Sequence, residues 1–462
     1  MSKRFVNTDR KTPFLFPPSV QDWVEENDLC RFIVECIEQL NLDSFSVNHK
    51  GTGSDQYNPA MMLALLVYCY SNGIFSSRKI EKATYNLIPV RYICANTHPD
   101  HDTICTFRKV NDKAIKECFV KILQLAKELG FLKIGNVAID GTKLKANASK
   151  HKAVSYKRAK EMIACYQKEV DELMQKAENA DNNSSDKDLD IPKEIELRET
   201  RIEKLKHACK VIEERAKEKA SVDIEEYHKK VEKREEQRKS GKKPRGKDPS
   251  RPKETPEDKD QYNFTDPESR IMKAGNGKNF QQSYNCQNVV DTNGSMLILG
   301  NKVTDCCNDK NQLNEALDSV PQELGDIDKA ATDNGFYCEA EIIKAENNND
   351  RNPNLKVYAS LGKSSHHKSI EELSKKYEEP DNTDKVTKGK CEEIMSERLN
   401  SKDGHDFYKL RKETVEPVFG IIKNVIGFRE FLVRGIEKVQ TEWDLVCLSY
   451  NFKRLHKLKY AK

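Results

Sequence analysis

No stretch of this chain is apolar enough to cross a bilayer as a helix. The longest candidate, Met61 to Tyr70, is about half the required length. The N-terminal residues MSKRFVNTDRKTPFLFPPS contain no apolar h-region, so a secretory signal is not expected. Cysteine is plentiful, with 14 residues, but no CxxC pair occurs and the nearest approach is the adjacent Cys306–Cys307. Zinc ribbons and fingers need ligand pairs at short spacing, so they are set aside. Cys36, Cys69, Cys105 and Cys447 fall in apolar segments and read as reduced core residues, which points to the cytosol. No histidine cluster suggests a transition-metal site, and His366–His367 is an isolated pair in polar surroundings. A strong net charge is also missing. Lys and Arg total 79 against 75 Asp and Glu, a balance of +4, which argues against a long tail of one sign.

What is present is 462 residues, enough for about three domains at roughly 150 residues each, with a charged fraction of 33%. That fraction exceeds the usual quarter, so charge must be read locally. From about residue 20 to 130, apolar positions recur at helical spacing. They do so in Leu29, Phe32, Ile33, Cys36, Ile37 and Leu40, in Met61, Leu63, Leu65, Leu66 and Tyr68, and in Ala114, Cys118, Phe119, Ile122, Leu123 and Ala126. The pattern predicts a bundle of five or six helices. Within it, Thr103 could cap a helix starting near Ile104, with Arg108 and Lys109 facing outward. Such a helix could read DNA or be an ordinary solvated basic helix.

The period changes at 134–146, IGNVAIDGTKLKA, which predicts a strand ending in Asp140 and then a bend. In 152–240, Ala159, Ile163, Tyr166, Val170, Leu173 and Ala177 form a heptad-like stripe. A second follows in Ile195, Ile202, Leu205, Cys209, Ile212 and Ala216. Two such helices predict an antiparallel coiled-coil hairpin, either a grip on DNA or a partner, or a solvated spacer. The following GKKPRGKDPSRPK (241–253) has six basic residues and one acidic and reads as a flexible linker. Strands are predicted at Ser283–Asp291, Ser295–Val303, Ala330–Asp333 and Leu355–Ala359. Helices fit Asn311–Leu317 and Cys338–Ala345, and 361–405 is too polar to assign. The block 407–462 is helical and carries 12 basic and 6 acidic residues.

With the hairpin set aside, acids stand at three junctions of an α/β pattern: Asp140 in VAIDGT, Asp333 in AATDNGF and Glu416 in RKETVEPVFGIIK. Carboxylates at strand ends are fixed by the sheet and suit hard divalent cations. Two Mg²⁺ ions about 4 Å apart would activate a water or a 3′-hydroxyl and stabilise the leaving oxygen of a phosphodiester. Each acid alone has an ordinary reading, since DG and DNG are common turn chemistry and surface helices are rich in Glu.

At these residues the chain resembles the DDE transposases of bacterial insertion sequences. Asp140 in IDGT matches the first acid. Asp333, in Asp333–Asn334–Gly335–Phe336, matches the second. Tyr408, Arg411, Glu416 and Lys423 match the Y…R…E…K signature. The signature usually leaves three residues between Arg and Glu. Arg411 leaves four, and Lys412 has the usual spacing. HPDHDTICTFRK (98–109) also resembles the helical DNA-binding region of these enzymes.

The resemblance implies an α/β ribonuclease-H-like core, an N-terminal all-α domain and the inserted hairpin. The expected division is 1–130 for DNA binding, 131–151 with 260–462 for catalysis, and 152–259 for hairpin and linker. The implied activity is binding the terminal inverted repeats, cleaving at the element ends and joining the 3′-hydroxyl to target double-stranded DNA. Two Mg²⁺ would be held by Asp140, Asp333 and Glu416, with Mn²⁺ as a substitute. Tyr408, Arg411, Lys412, Lys423, Arg108 and Lys109 would contact DNA. Tyr408 and Arg411 are expected before the helix that carries Glu416. A homodimer in the DNA complex, nucleoid association in a bacterial cytoplasm and no membrane contact complete the expectation. A nuclease that cuts without joining, and a scaffold or domesticated protein that has lost catalysis, are the alternatives.

Overall fold

The computed structural model describes residues 19–47, 56–180, 190–239, 248–273, 279–347, 351–362, 381–382 and 384–460. The N-terminal residues 1–18, part of the basic linker (241–247) and the His366–His367 pair lie outside this set. The chain forms two compact units. Met1–Asn147, Met272–Asn279 and Ser283–Lys462 make the first, and Ala148–Ile271 with Phe280–Gln282 the second.

The first unit opens with α1 (Leu29–Glu38), α2 (Pro59–Ser71), α3 (Ser77–Asn86), α4 (Ile88–Ile93), α5 (His101–Val110) and α6 (Asp112–Glu128). Their starts follow local chemistry. Asp28, Asn58 and Asp100 accept from the backbone N–H of Cys30, Ala60 and Thr103, and Pro59 occupies the first turn of α2. Helix α5 therefore begins at His101 and is capped by Asp100, not by Thr103, because the carboxylate both accepts the orphan N–H and complements the helix dipole. In α2, Met62–Val67, Cys69 and Tyr70 are all buried. The apolar run is a central helix, surrounded by protein.

Five strands of this unit follow: β1 (Asn136–Lys145), β2 (Phe280–Asp291), β3 (Ile298–Thr304), β4 (Lys329–Thr332) and β5 (Lys356–Ala359). Strands β1, β2 and β3 are antiparallel neighbours, while β4 runs parallel to β1 and β5 parallel to β4. Within a six-stranded sheet these five run in the order β3-β2-β1-β4-β5, and the sixth strand, Arg270–Lys273, also pairs with β2. The strand expected to stop at Asp140 runs on to Lys145, and Gly141 lies inside it, paired with Gln287. The long partner β2 holds the ladder from Val137↔Asp291 to Lys145↔Ser283, and this overrides the turn tendency of Asp-Gly.

In chain order the helices continue with α7 (Tyr156–Ala180) and α8 (Ile191–Lys239) in the second unit. Back in the first are α9 (Leu313–Asp318), α10 (Glu339–Asn347), α11 (Cys391–Asn400), α12 (Lys402–Gly420) and α13 (Ile436–Tyr460). Helix α11 lies in the stretch left unassigned from sequence. Its apolar pattern is broken by Arg398, which is buried against Glu346. Helix α12 starts at Lys402, capped by Ser401, so Tyr408 and Arg411 lie within it and share a helix with Glu416. Helix α13 packs on α2, α6 and β3, and its residues Glu442–Phe452 are buried all round. The N-terminal helices and the sheet thereby share one interior.

In the second unit α7 packs against α8. Ala159, Leu205, Ala208, Cys209 and Ile212 bury their side chains together with Val154, Tyr156 and Tyr262. Arg198 binds Glu169 at 2.6 Å across the helix pair. At the base, Ala153–Ser155 pairs antiparallel with Gln261–Asn263.

Candidate active site

The sheet brings the first two acids together. The parallel ladder of β1 and β4 ends at Ile139↔Thr332. The next residue of each chain segment is Asp140, inside β1, and Asp333, just past the end of β4, side by side at the carboxyl edge of β4, the edge where α/β sheets bind ligands. Asp333 caps a short 3₁₀ turn and accepts from the Gly335 N–H at 2.9 Å. Asp140 accepts from the Gly141 N–H at 2.8 Å. Burial, and then the charge of Asp333, pushes the Asp140 carboxyl up to about 7.

Helix α12 packs on β1 and β4 and supplies the rest. Arg411 donates from Nη1 to Asp140 Oδ2 at 3.2 Å and from Nη2 to Glu416 Oε1 at 3.0 Å. One guanidinium thus ties the first acid to the third. It is nearly buried, with 10% of its side chain exposed, whereas Glu416 is 48% exposed and open to a ligand. Tyr408 lies beside it, its ring centre 6.0 Å from the guanidinium carbon. Val415, Phe419 and Ile422 are buried, as an amphipathic helix requires. After Pro417 the helix passes into a π-helical turn, Ile421–Val425, and the Glu416-to-Lys423 step departs from α spacing. Lys423 consequently turns onto β1. Its ammonium donates to Thr142 Oγ1 and to the Lys143 carbonyl, and burial lowers its pKa. Lys412 is exposed.

The region 98–109 divides. Lys109 is exposed. Arg108, expected to face outward with it, donates to Tyr70 Oη at 2.5 Å, to Ser77 Oγ at 2.8 Å and to the Phe75 carbonyl at 3.3 Å. The neighbouring Glu442 accepts from Tyr70 Oη and from the Leu432 N–H. This arginine is turned inward because a buried carboxylate and phenol need a cationic partner.

A further acid, Asp309, was not singled out from sequence. It stands in the loop after β3 and accepts from Asn285 Nδ2 at 2.7 Å. Burial, and also the charge of Asp333, raises its carboxyl. The sequence does place glycines near two of the predicted acids, Gly141 after Asp140 and Gly335 after Asp333, but nothing in it ties them to Asp309.

Among the described residues no three His, Cys, Asp or Glu side chains stand together as a ready metal set. The donor chemistry nevertheless fits a hard divalent cation. Every candidate ligand is a carboxylate oxygen, and Asp140 carries a cost of ionisation that a nearby cation would offset.

Two protein-family models match the chain. A transposase domain (DUF772) matches residues 18–110, and a transposase DDE domain matches residues 375–456. The second contains Tyr408, Arg411, Glu416 and Lys423, and Asp140 and Asp333 precede it. It implies a ribonuclease-H-like fold, with which the mixed sheet agrees. No curated protein and no solved structure matches.

Proposed function

For a chain that belongs to the DDE transposases of insertion sequences, we propose a complete transposition activity: binding of the terminal inverted repeats, cleavage at the element ends and joining of the 3′-hydroxyl to target DNA. The observation that carries it is the register of β1 and β4, which leaves Asp140 and Asp333 adjacent, with Glu416 tied to Asp140 through Arg411.

Asp140, Asp333 and Glu416 would hold divalent cations, Mg²⁺ or Mn²⁺. When bound, these supply activation of the attacking water or hydroxyl and charge stabilisation of the leaving oxygen. The chain's own groups do the remainder. Arg411 neutralises Asp140 and Glu416 and fixes α12 against the sheet. Lys423, held on Thr142, sets a positive charge beside the acids, and Tyr408 lines the same helix. Exposed Lys412 and Lys109 are suited to DNA phosphates, whereas Arg108 is committed to the fold. The helical N-terminal segment, 1–130, serves DNA-end binding, and the α/β segments serve catalysis. Helices α7 and α8 form an antiparallel coiled-coil hairpin used in assembling a dimeric, nucleoid-associated DNA complex. No helix among the described residues is long and apolar enough to cross a membrane.

The test is cleavage and strand joining on DNA carrying the element's own ends, with Mg²⁺ or Mn²⁺. D140N, D333N and E416Q should each lower cleavage about a thousandfold, the effect of losing ~4 kcal/mol of transition-state stabilisation. Cleavage at the wild-type rate in any of the three would sink the assignment. Cleavage without joining by the wild-type chain would reduce it to a nuclease.

A further inference from the structure

The glycines near Asp140 and Asp333, Gly141 and Gly335, call for an explanation. Neither is needed for its backbone conformation, since Gly141 and Gly335 both lie outside the left-handed region. Gly141 is an interior residue of β1, a position where glycine ordinarily weakens a strand. What each provides is clearance. A Cβ at Gly141 would lie 2.6 Å from Asp309 Oδ1 and 3.2 Å from Asn285 Oδ1. A Cβ at Gly335 would lie 3.0 Å from Asp333 Oδ1 and 3.3 Å from Asp309 Oδ2. The two carboxylates thus face the same small space, and the glycine leaves that space free of side chain.

Two further facts bear on what that space is for. Asn285 is 1% exposed, and while its Nδ2 donates to Asp309, its Oδ1 has no hydrogen-bond partner. A buried amide oxygen without a donor is costly, and this one points to the clearance above Gly141. Two carboxylates facing one small space also repel, unless a proton or a cation is shared between them. A divalent cation with its bound water meets both needs. The carboxylates supply oxygen ligands, and a metal-bound water can donate to Asn285 Oδ1.

We propose that Asp309 is a further ligand of the divalent-cation site, sharing a cation with Asp333, and that Asn285 is the positioning residue that orients it. This rests on the reading of Asp140, Asp333 and Glu416 as a cation site. Gly141 and Gly335 are required because any side chain there would displace the Asp309 carboxylate or fill the cation's place.

The experiment is Mn²⁺ binding to the full-length chain without DNA. Free Mn²⁺ is followed by electron paramagnetic resonance, and the number of waters on the bound ion by water-proton relaxation. D309N should weaken Mn²⁺ at least about tenfold and add a water to the bound ion, as loss of a ligand does. G141A keeps every acid but pushes on Asp309, and should weaken Mn²⁺ in the same direction. It carries the test if D309N does not fold. If D140N and D333N lose Mn²⁺ while D309N and G141A bind it with wild-type affinity and hydration, Asp309 is excluded and the cation site stands. If none of the four variants alters binding, the cation site itself is refuted, and this assignment with it.

Discussion

At the scale of single residues, Asp140 carries a measurable signature. Its carboxyl is held near 7, against about 3.9 in an unfolded chain. Between about pH 4 and 7 the folded protein therefore keeps a proton that the unfolded chain has lost, and stability falls as pH rises through that window. Asp309, Asp291 and Asp444 are also raised by burial and act with the same sign. We expect a lower urea midpoint at pH 8 than at pH 5 in EDTA, and a shallower fall in D140N. Mg²⁺ should restore the midpoint at pH 8 in the wild type far more than in D140N. An identical pH slope in both proteins would contradict the raised carboxyl. The three acids were legible in the sequence because each sits in a short motif beside a strand or helix signal. Asp309 was not, because its relation to Gly141 and Gly335 comes from three separate segments meeting. Arg108 was misread for a similar reason: its partners Tyr70, Phe75 and Ser77 lie 31 to 38 residues away in sequence.

At the scale of elements, positions were legible where periodicity was strong, and terminations were not. The bend expected after Asp140 was overruled by the β2 ladder, and Tyr408 and Arg411 proved helical because the Ser401 cap lies further upstream than the apolar pattern begins. Helix α11 was hidden by its own centrepiece. Arg398 and Glu346 are both fully buried and paired at 2.5 Å. Arg398 also donates to the carbonyls of Asn382, Asp384 and Val357, and Glu346 accepts the N–H groups of Val357 and Val386. This pair joins α10, α11, β5 and the segments at Asn382, Asp384 and Val386 through groups that have no water to turn to. R398M should cost about 3–5 kcal/mol, because it leaves Glu346 charged and alone. The double change R398M/E346Q should be markedly less harmful than R398M. Urea unfolding of the full chain measures both, and a cost under about 1 kcal/mol for R398M would show that the pair does not hold these elements.

At the scale of the whole molecule, the hydrophobic stripes of α7 and α8 are used on one another and on Val154, Tyr156 and Tyr262, all inside the second unit. The first unit has its own interior, with α13 buried among α2, α6 and β3. The two units should therefore be separable. The junction is also favourable, because Ser155 and Gln261 are register partners in the short antiparallel pair. Replacing residues 156–260 by a two-residue Asn-Gly turn would close that pair as an ordinary hairpin. Val154 and Tyr262 lose their cover in such a chain, so both are changed to Thr, which keeps strand propensity without an exposed apolar surface. We expect the shortened protein to unfold in one cooperative transition, with amide protection retained in β1, β4 and α13. On the proposed function it should still cleave DNA ends in the presence of Mn²⁺ but fail to join them, as expected if the helical pair contributes to assembly of the DNA complex. Loss of the cooperative transition would mean that the helices hold up the α/β core. Normal joining would leave them a spacer, the other reading that the two stripes allowed.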